Sequence, residues 1–168
     1  MLLVVWFFLD MKNEKQRVVL IQGAFDLLNY GHIRALGAAR RAGRHVIVAL
    51  NSNELLTASG RWSYKKGAPV LPWWQRKAIL ETIRFVDQVV PADKFSPLEL
   101  LEKYEVGVYV VGREWKETKQ VEIAYMKKTG GRIIWTPRYK HVISTSEIKH
   151  RLLKQARAEA RTRAVRKK

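Results

Sequence analysis

The chain contains no cysteine in 168 residues, which excludes disulfides, thiolate metal sites and cysteine nucleophiles. That absence also fits a reducing compartment, and a cytoplasmic location is expected. No apolar run is long enough to cross a bilayer. The opening Met-Leu-Leu-Val-Val-Trp-Phe-Phe-Leu is strongly apolar but far too short for a span. It also lacks the basic leader and small-residue cleavage site of a signal peptide, so no membrane association is expected. Met11 follows soon after. Residues 1–10 are read as a dispensable extension, with an edge strand or a partner contact as alternatives. Acidic residues are scarce too: 15 Asp and Glu stand against 32 Lys and Arg, a formal net charge of +17. Residues 151–168 carry eight of those bases against one Glu. Such a tail suits non-specific contact with nucleic acid, although no base-reading module is visible and the bases can equally serve anionic substrates.

What is present suits one domain. Apolar residues make up 47% of the chain, enough to supply a core at this length. Apolar strand-like runs alternate with helical patterns, which predicts an α/β fold with an open parallel sheet of five strands and helices on both faces. Strands are expected at residues 17–22, 46–50, 86–90 (ended by Pro91), 108–111 and 132–136. Helices are expected at residues 30–42, 72–84, 97–103 and 121–128, with a last one starting near Ser144. Ser96 is read as the N-cap of the third helix, with Glu99 in the capping-box position. Residues 51–70 are polar, without period, and read as one long loop, a length that usually marks function. Residues 1–16 form the extension, 17–153 the domain and 154–168 a basic helical tail.

The most informative stretch is residues 23–32, Gly-Ala-Phe-Asp-Leu-Leu-Asn-Tyr-Gly-His, directly after the apolar run Val18-Val19-Leu20-Ile21. Small residues after a buried strand permit a sharp turn into a helix, and Gly31-His32 fall at the helix start. A helix N-terminus offers unpaired N–H groups and partial positive charge to phosphate, and an imidazole there can donate to a phosphoryl oxygen. The stretch resembles the signature Gly-x-Phe-Asp-x-x-His-x-Gly-His of the nucleotidylyltransferase superfamily, with Asn29 where the first His of the pair stands. Two further segments extend the resemblance, which runs from about Val18 to Leu153. Residues 76–87, Arg-Lys-Ala-Ile-Leu-Glu-Thr-Ile-Arg-Phe-Val-Asp, look most like the glycerol-3-phosphate cytidylyltransferases. Ile143-Ser144-Thr145-Ser146, preceded by Arg138, resembles their Arg-x-x-x-Ile-Ser-Thr-Thr, with one extra residue in the spacing. Residues 51–54, Asn-Ser-Asn-Glu, are similar to a segment of the nucleotidylyl domain of ADP-heptose synthase.

The resemblance implies a Rossmann-like fold and transfer of a nucleoside monophosphate from CTP, or less favoured ATP, to a small phosphorylated alcohol or sugar. Pyrophosphate would leave, Mg²⁺ would be bound through the triphosphate, and a homodimer is expected. It implies catalytic roles for His32, Asn29 and Lys66. It implies nucleotide and phosphate binding by Gly23, Ala24, Phe25, Gly31, Arg76, Arg138, Ser144, Thr145 and Ser146. If Arg138 is displaced by the altered spacing, Lys140 or His141 takes its place. Asp26, Trp74, Arg113, Glu114 and Trp115 are candidates for the acceptor or base site; the family has Asp where Arg113 reverses the charge. Asp26 reads as shaping the turn rather than as a base, and Trp73 and Trp74 as either a shield of the site or packing. Glu81 and Arg84 have the spacing of an ordinary surface pair. The rival reading is a catalytically weakened nucleotide- or nucleic-acid-binding protein on the same fold. No protein-held metal is expected.

Overall fold

The computed structural model describes residues 18–58, 68–137 and 142–166, with side chains in the last segment described through residue 160 and at Thr162. The extension at residues 1–16, the loop lysines Lys65 and Lys66, and Arg138, Lys140 and His141 lie outside the described residues.

Five strands form one parallel sheet: β1 (Val18–Gly23), β2 (His45–Asn51), β3 (Gln88–Ala92), β4 (Val108–Gly112) and β5 (Arg132–Thr136), in the order β3-β2-β1-β4-β5. The helices are α1 (Tyr30–Ala42), α2 (Asn53–Thr57), α3 (Trp73–Glu81), α4 (Leu98–Lys103), α5 (Gln120–Lys128) and α6 (Thr145–Arg166). A 3₁₀ turn, Arg113–Thr118, follows β4.

The near-continuous apolar strands are explained by burial on both faces. Successive side chains alternate sides. Val19, Ile21, Val46, Val48 and Val110 face Leu36 and Ala39 of α1 and Leu80 of α3. Leu20, Ile47, Ala49, Tyr109 and Val111 face Leu101 of α4 and Met126 of α5. The result is a helix–sheet–helix sandwich, in which each fully buried Val, Leu or Ile contributes about 1.5–3 kcal/mol.

Four local expectations are corrected. The stretch read as one long loop contains α2, because Ser52 Oγ accepts from Leu55 N at 3.2 Å and caps a helix. The third strand is Gln88–Ala92 and runs through Pro91. Val86 N closes a turn onto Ile83 O, and β3 is an edge strand, where a proline needs to spare no ladder donor. Ser96 does not cap α4: the N-cap is Pro97, Ser96 Oγ has no hydrogen-bond partner among the described residues, and Glu99 pairs instead with Lys94. Finally, α3 ends at Glu81 rather than at 84. Thr82 directs its N–H and its hydroxyl to Ile79 O. Glu81 therefore pairs with Lys77 at 2.6 Å, and Arg84 lies over the Phe85 ring.

Candidate active site

The strand order reverses between β1 and β4, whose C-terminal ends are Gly23 and Gly112. In open parallel sheets ligands bind outside such a point. A cavity of about 510 Å³ lies there, bounded by the turn after β1, the 3₁₀ turn after β4 and the start of α6.

The turn after β1 holds two of the three non-glycine residues with positive φ among the described residues. Phe25 and Leu27 both adopt positive φ, 45° and 46°. Non-glycine residues in this region cost about 1–3 kcal/mol each and persist where their surroundings over-determine them. Asp26, between the two, supplies that determination. Its carboxylate accepts from Val70 N (3.0 and 3.1 Å) and Leu71 N (3.1 Å) and pairs with Lys149 Nζ at 3.0 Å. Its carbonyl accepts from Thr145 Oγ1 at 2.9 Å. Burial pushes this carboxyl up, but the two amides and the Lys149 ammonium outweigh burial and hold it below the ordinary value. Asp26 is therefore acceptor-only and fully engaged, consistent with turn-shaping rather than base chemistry.

The turn delivers the chain into α1. Asn29 is the N-cap: its Oδ1 accepts from Gly31 N (3.0 Å) and His32 N (3.3 Å), and its Nδ2 donates to Thr145 Oγ1 (3.3 Å). The absence of a Cβ at Gly31 matters, since one would stand 3.1 Å from Asn29 Oδ1 and 3.4 Å from Val142. The expectation that the first amides of α1 are open to phosphate is thus corrected: Asn29 occupies those of Gly31 and His32. What α1 offers the cavity is its dipole and the His32 ring. His32 Nδ1 accepts from Asn29 N at 3.2 Å, closing a capping box, so a neutral ring carries its hydrogen on Nε2. The ring lies 5.3 Å from that of Phe25, which Gly23 admits because a Cβ there would fall 2.9 Å from the Phe25 ring.

Arg76 is the largest correction. It was expected to chelate phosphate, but it is 1% exposed and does not line the cavity. Its guanidinium donates to Leu71 O (3.0 Å), Ala24 O (2.6 Å), Asn51 O (3.0 Å) and Asn53 Oδ1 (2.7 Å). Burial lowers its pKa, partly offset by the charge of Asp26. It sutures the turn after β1, the end of β2 and the segment before α3 from beneath the site.

The remaining candidates divide. Gly23, Ala24, Phe25, Asp26, Asn29, Gly31, His32, Glu114, Trp115, Ser144 and Thr145 line the cavity; Trp74, Arg113 and Ser146 do not. Trp74 is 64% exposed on α3, while Trp73 packs on the core and donates to Leu50 O at 3.1 Å. Ser144 Oγ accepts from Glu147 N at 3.2 Å and so caps α6. The Trp115 wall is propped from behind: Trp115 meets Phe95 edge-on at 5.6 Å, and the buried Lys119, paired with Glu122 at 3.2 Å, donates to Phe95 O and lies 4.2 Å over its ring. Sequence reasoning missed Gln22, Leu56 and Lys149 as cavity residues. Lys149 had a legible signal, standing one helical turn beyond Thr145 on the same face. Among the described residues no group of three His, Asp or Glu is arranged to hold a metal ion.

A model of the family described as cytidylyltransferase-like matches residues 20–151. The chain belongs to that family. It is 36% identical over 140 residues to the glycerol-3-phosphate cytidylyltransferase of Staphylococcus aureus, covering 80% of this chain and 93% of that protein. It is 32% identical over 124 residues to the bifunctional protein HldE of Alcanivorax borkumensis, covering 74% of this chain but 25% of that protein. In fold, it is similar to a lipopolysaccharide core biosynthesis protein from Thermoplasma volcanium, with a TM-score of 0.59 at 17% identity over 74% of this chain and 98% of that one. Like the glycerol-3-phosphate cytidylyltransferases it resembles, the chain is a nucleotidyltransferase. No helix among the described residues is long and apolar enough to cross a membrane.

The cavity is equipped for that chemistry by position and charge. Among the described residues neither Ser144 nor Thr145 is bonded to a base: one hydroxyl caps α6 and the other serves Asp26 O. His32 and Lys149 bring donors to the cavity and Asp26, Glu114 and Glu147 bring carboxylates, and stabilising phosphate charge rests on the donors.

Proposed function

We propose that this protein transfers the nucleoside monophosphate of CTP, with ATP as the second choice, to a small phosphorylated alcohol or sugar. A phosphate oxygen of the acceptor attacks the α-phosphorus in line, the bond to the bridging oxygen breaks, and pyrophosphate leaves. The observation that carries this reading is His32 on the cavity wall, with Nδ1 accepting from Asn29 N, so that a neutral ring donates through Nε2. There it can stabilise, by a hydrogen bond, the charge building on an oxygen of the α-phosphate or on the bridging oxygen. CTP is preferred because the Staphylococcus aureus relative is named as a cytidylyltransferase and covers nearly its full length. Mg²⁺ would arrive on the triphosphate and shield its charge, because Mg²⁺ keeps waters and takes phosphate oxygens readily. Lys66 and Arg138 are part of the proposal as phosphate ligands, as is a cytoplasmic homodimer.

The test is pyrophosphate release with each of the four triphosphates against a panel of phosphorylated acceptors. Release that requires an acceptor, runs fastest with CTP, and falls about 10²–10³-fold in His32→Ala is the expected result. Wild-type rates in that variant overturn the role of His32.

One observation favours a second activity. Residues 151–160 of α6 are all exposed and include Arg151, Lys154 and Arg157. Oligonucleotide binding with a steep salt slope, lost on deletion of residues 154–168, would establish it; salt-independent or absent binding would dismiss it.

A further inference from the structure

Three carboxylate residues line the cavity that is to receive a polyphosphate: Asp26, Glu114 and Glu147, the last paired with Arg151 at 2.9 Å. Asp26 lines it with a side chain only 4% exposed, so water screens its charge poorly. Left uncompensated, that charge opposes phosphate binding by several kT. The two amides of Val70 and Leu71 supply only partial charges. The ammonium of Lys149 meets Asp26 Oδ2 at 3.0 Å, and its own side chain is 24% exposed. Lys149 also donates to Ala68 O at 3.1 Å. One side chain thus touches both the carboxylate and the segment 68–71, whose Pro69 lines the cavity. Thr145, one turn earlier on α6, bonds the Asp26 carbonyl, so both rungs of the same helical face grip Asp26.

We propose that Lys149 is a positioning residue of the transfer reaction: by pairing with Asp26 it cancels the buried charge of that carboxylate in the cavity wall and pins segment 68–71 there, and so sets the affinity for the polyphosphate of the nucleotide. This deepens the nucleotidyltransfer reading and rests on it. Lysine suits the role because its compact ammonium can bond a carboxylate and a carbonyl at once while leaving a third donor.

Inorganic tripolyphosphate, titrated calorimetrically into the full chain, is the probe, alongside KM and kcat for CTP. Lys149→Met is expected to weaken tripolyphosphate about 10–100-fold at low salt, an effect that shrinks as salt rises, and to raise KM for CTP more than it lowers kcat. Lys149→Arg keeps the charge and should stay within about threefold of wild type. The decisive variant is Asp26→Asn with Lys149→Met, which removes both charges and should recover most of the lost affinity. Wild-type affinity in Lys149→Met overturns the proposal, as does a double variant no better than the single one. Melting temperatures check folding, and Lys149→Gln replaces Lys149→Met if the latter does not fold. Tripolyphosphate binding by a wild-type protein that releases no pyrophosphate with any triphosphate would instead count against the enzymatic reading, leaving Lys149 to be judged on calorimetry alone.

Discussion

Replacing Arg76 by Met separates two incompatible roles for a residue that sequence alone assigns to phosphate. In the structure the guanidinium is 1% exposed and serves four acceptors, three of them backbone carbonyls, at 2.6–3.0 Å. Methionine fills most of the volume and none of those bonds. Each buried acceptor left unsatisfied costs about 1–3 kcal/mol, but the contributions share one side chain and the desolvation of its charge is relieved at the same time. A net loss of about 3–5 kcal/mol is therefore expected, the range for breaking a buried charged cluster. Against a typical total of about 5–15 kcal/mol, that is a large fraction. At about 2–4 °C per kcal/mol for a domain of this size, the melting temperature should fall by about 6–20 °C. The assay is thermal and urea denaturation without any ligand, where a phosphate-binding role is invisible. Arg76→Lys, with three donors and no fork, should fall in between. An Arg76→Met variant that melts within about 2 °C of wild type while its KM for nucleotide rises tenfold would refute the structural role and restore the phosphate-binding one.

Two further outcomes test the turn. Asn29→Ala removes the cap of α1 and the donor to Thr145 Oγ1; it should cost about 1–2 kcal/mol in urea unfolding, and an unchanged midpoint would show that the cap is dispensable. Asp26, with its pKa held below the ordinary value of 3.8, binds fewer protons folded than unfolded near that pH. Its contribution is therefore complete only above about pH 5 and is lost progressively as pH falls through 3.8 and below. Urea midpoints at pH 7, 4 and 3 should show a loss at the acid end that is smaller in Asp26→Asn, and parallel curves for the two proteins would contradict the assignment.

Much of this protein is legible from its residues. Apolar runs such as residues 46–50 announce buried parallel strands, because a strand covered on both faces carries no polar alternation. The order of strands and helices, together with the turn at residues 23–32, announces where the cavity opens. Local chemistry also predicts Ser144 at the start of α6, since a capping hydroxyl acts on amides within its own helix. The failures are of a different kind. Ser96 looks like a cap by sequence, yet Pro97 occupies that position and Lys94 captures Glu99. Pro91 reads as a terminator, but at a sheet edge it terminates nothing.

Residue types and their order determined the fold class and the place of His32 at the start of α1, because strand burial and turn geometry act over a few residues, and the resemblance of three short segments pointed to the family. Tertiary structure decided which charged side chains face the ligand and which hold the walls. Arg76 and Lys149 are both cations near the same turn; one is turned inward to carbonyls contributed by segments up to 52 positions away, the other stands in the cavity against Asp26. No local pattern separates them, since the acceptors that fix each guanidinium or ammonium come together only when the sheet and α6 close around Asp26.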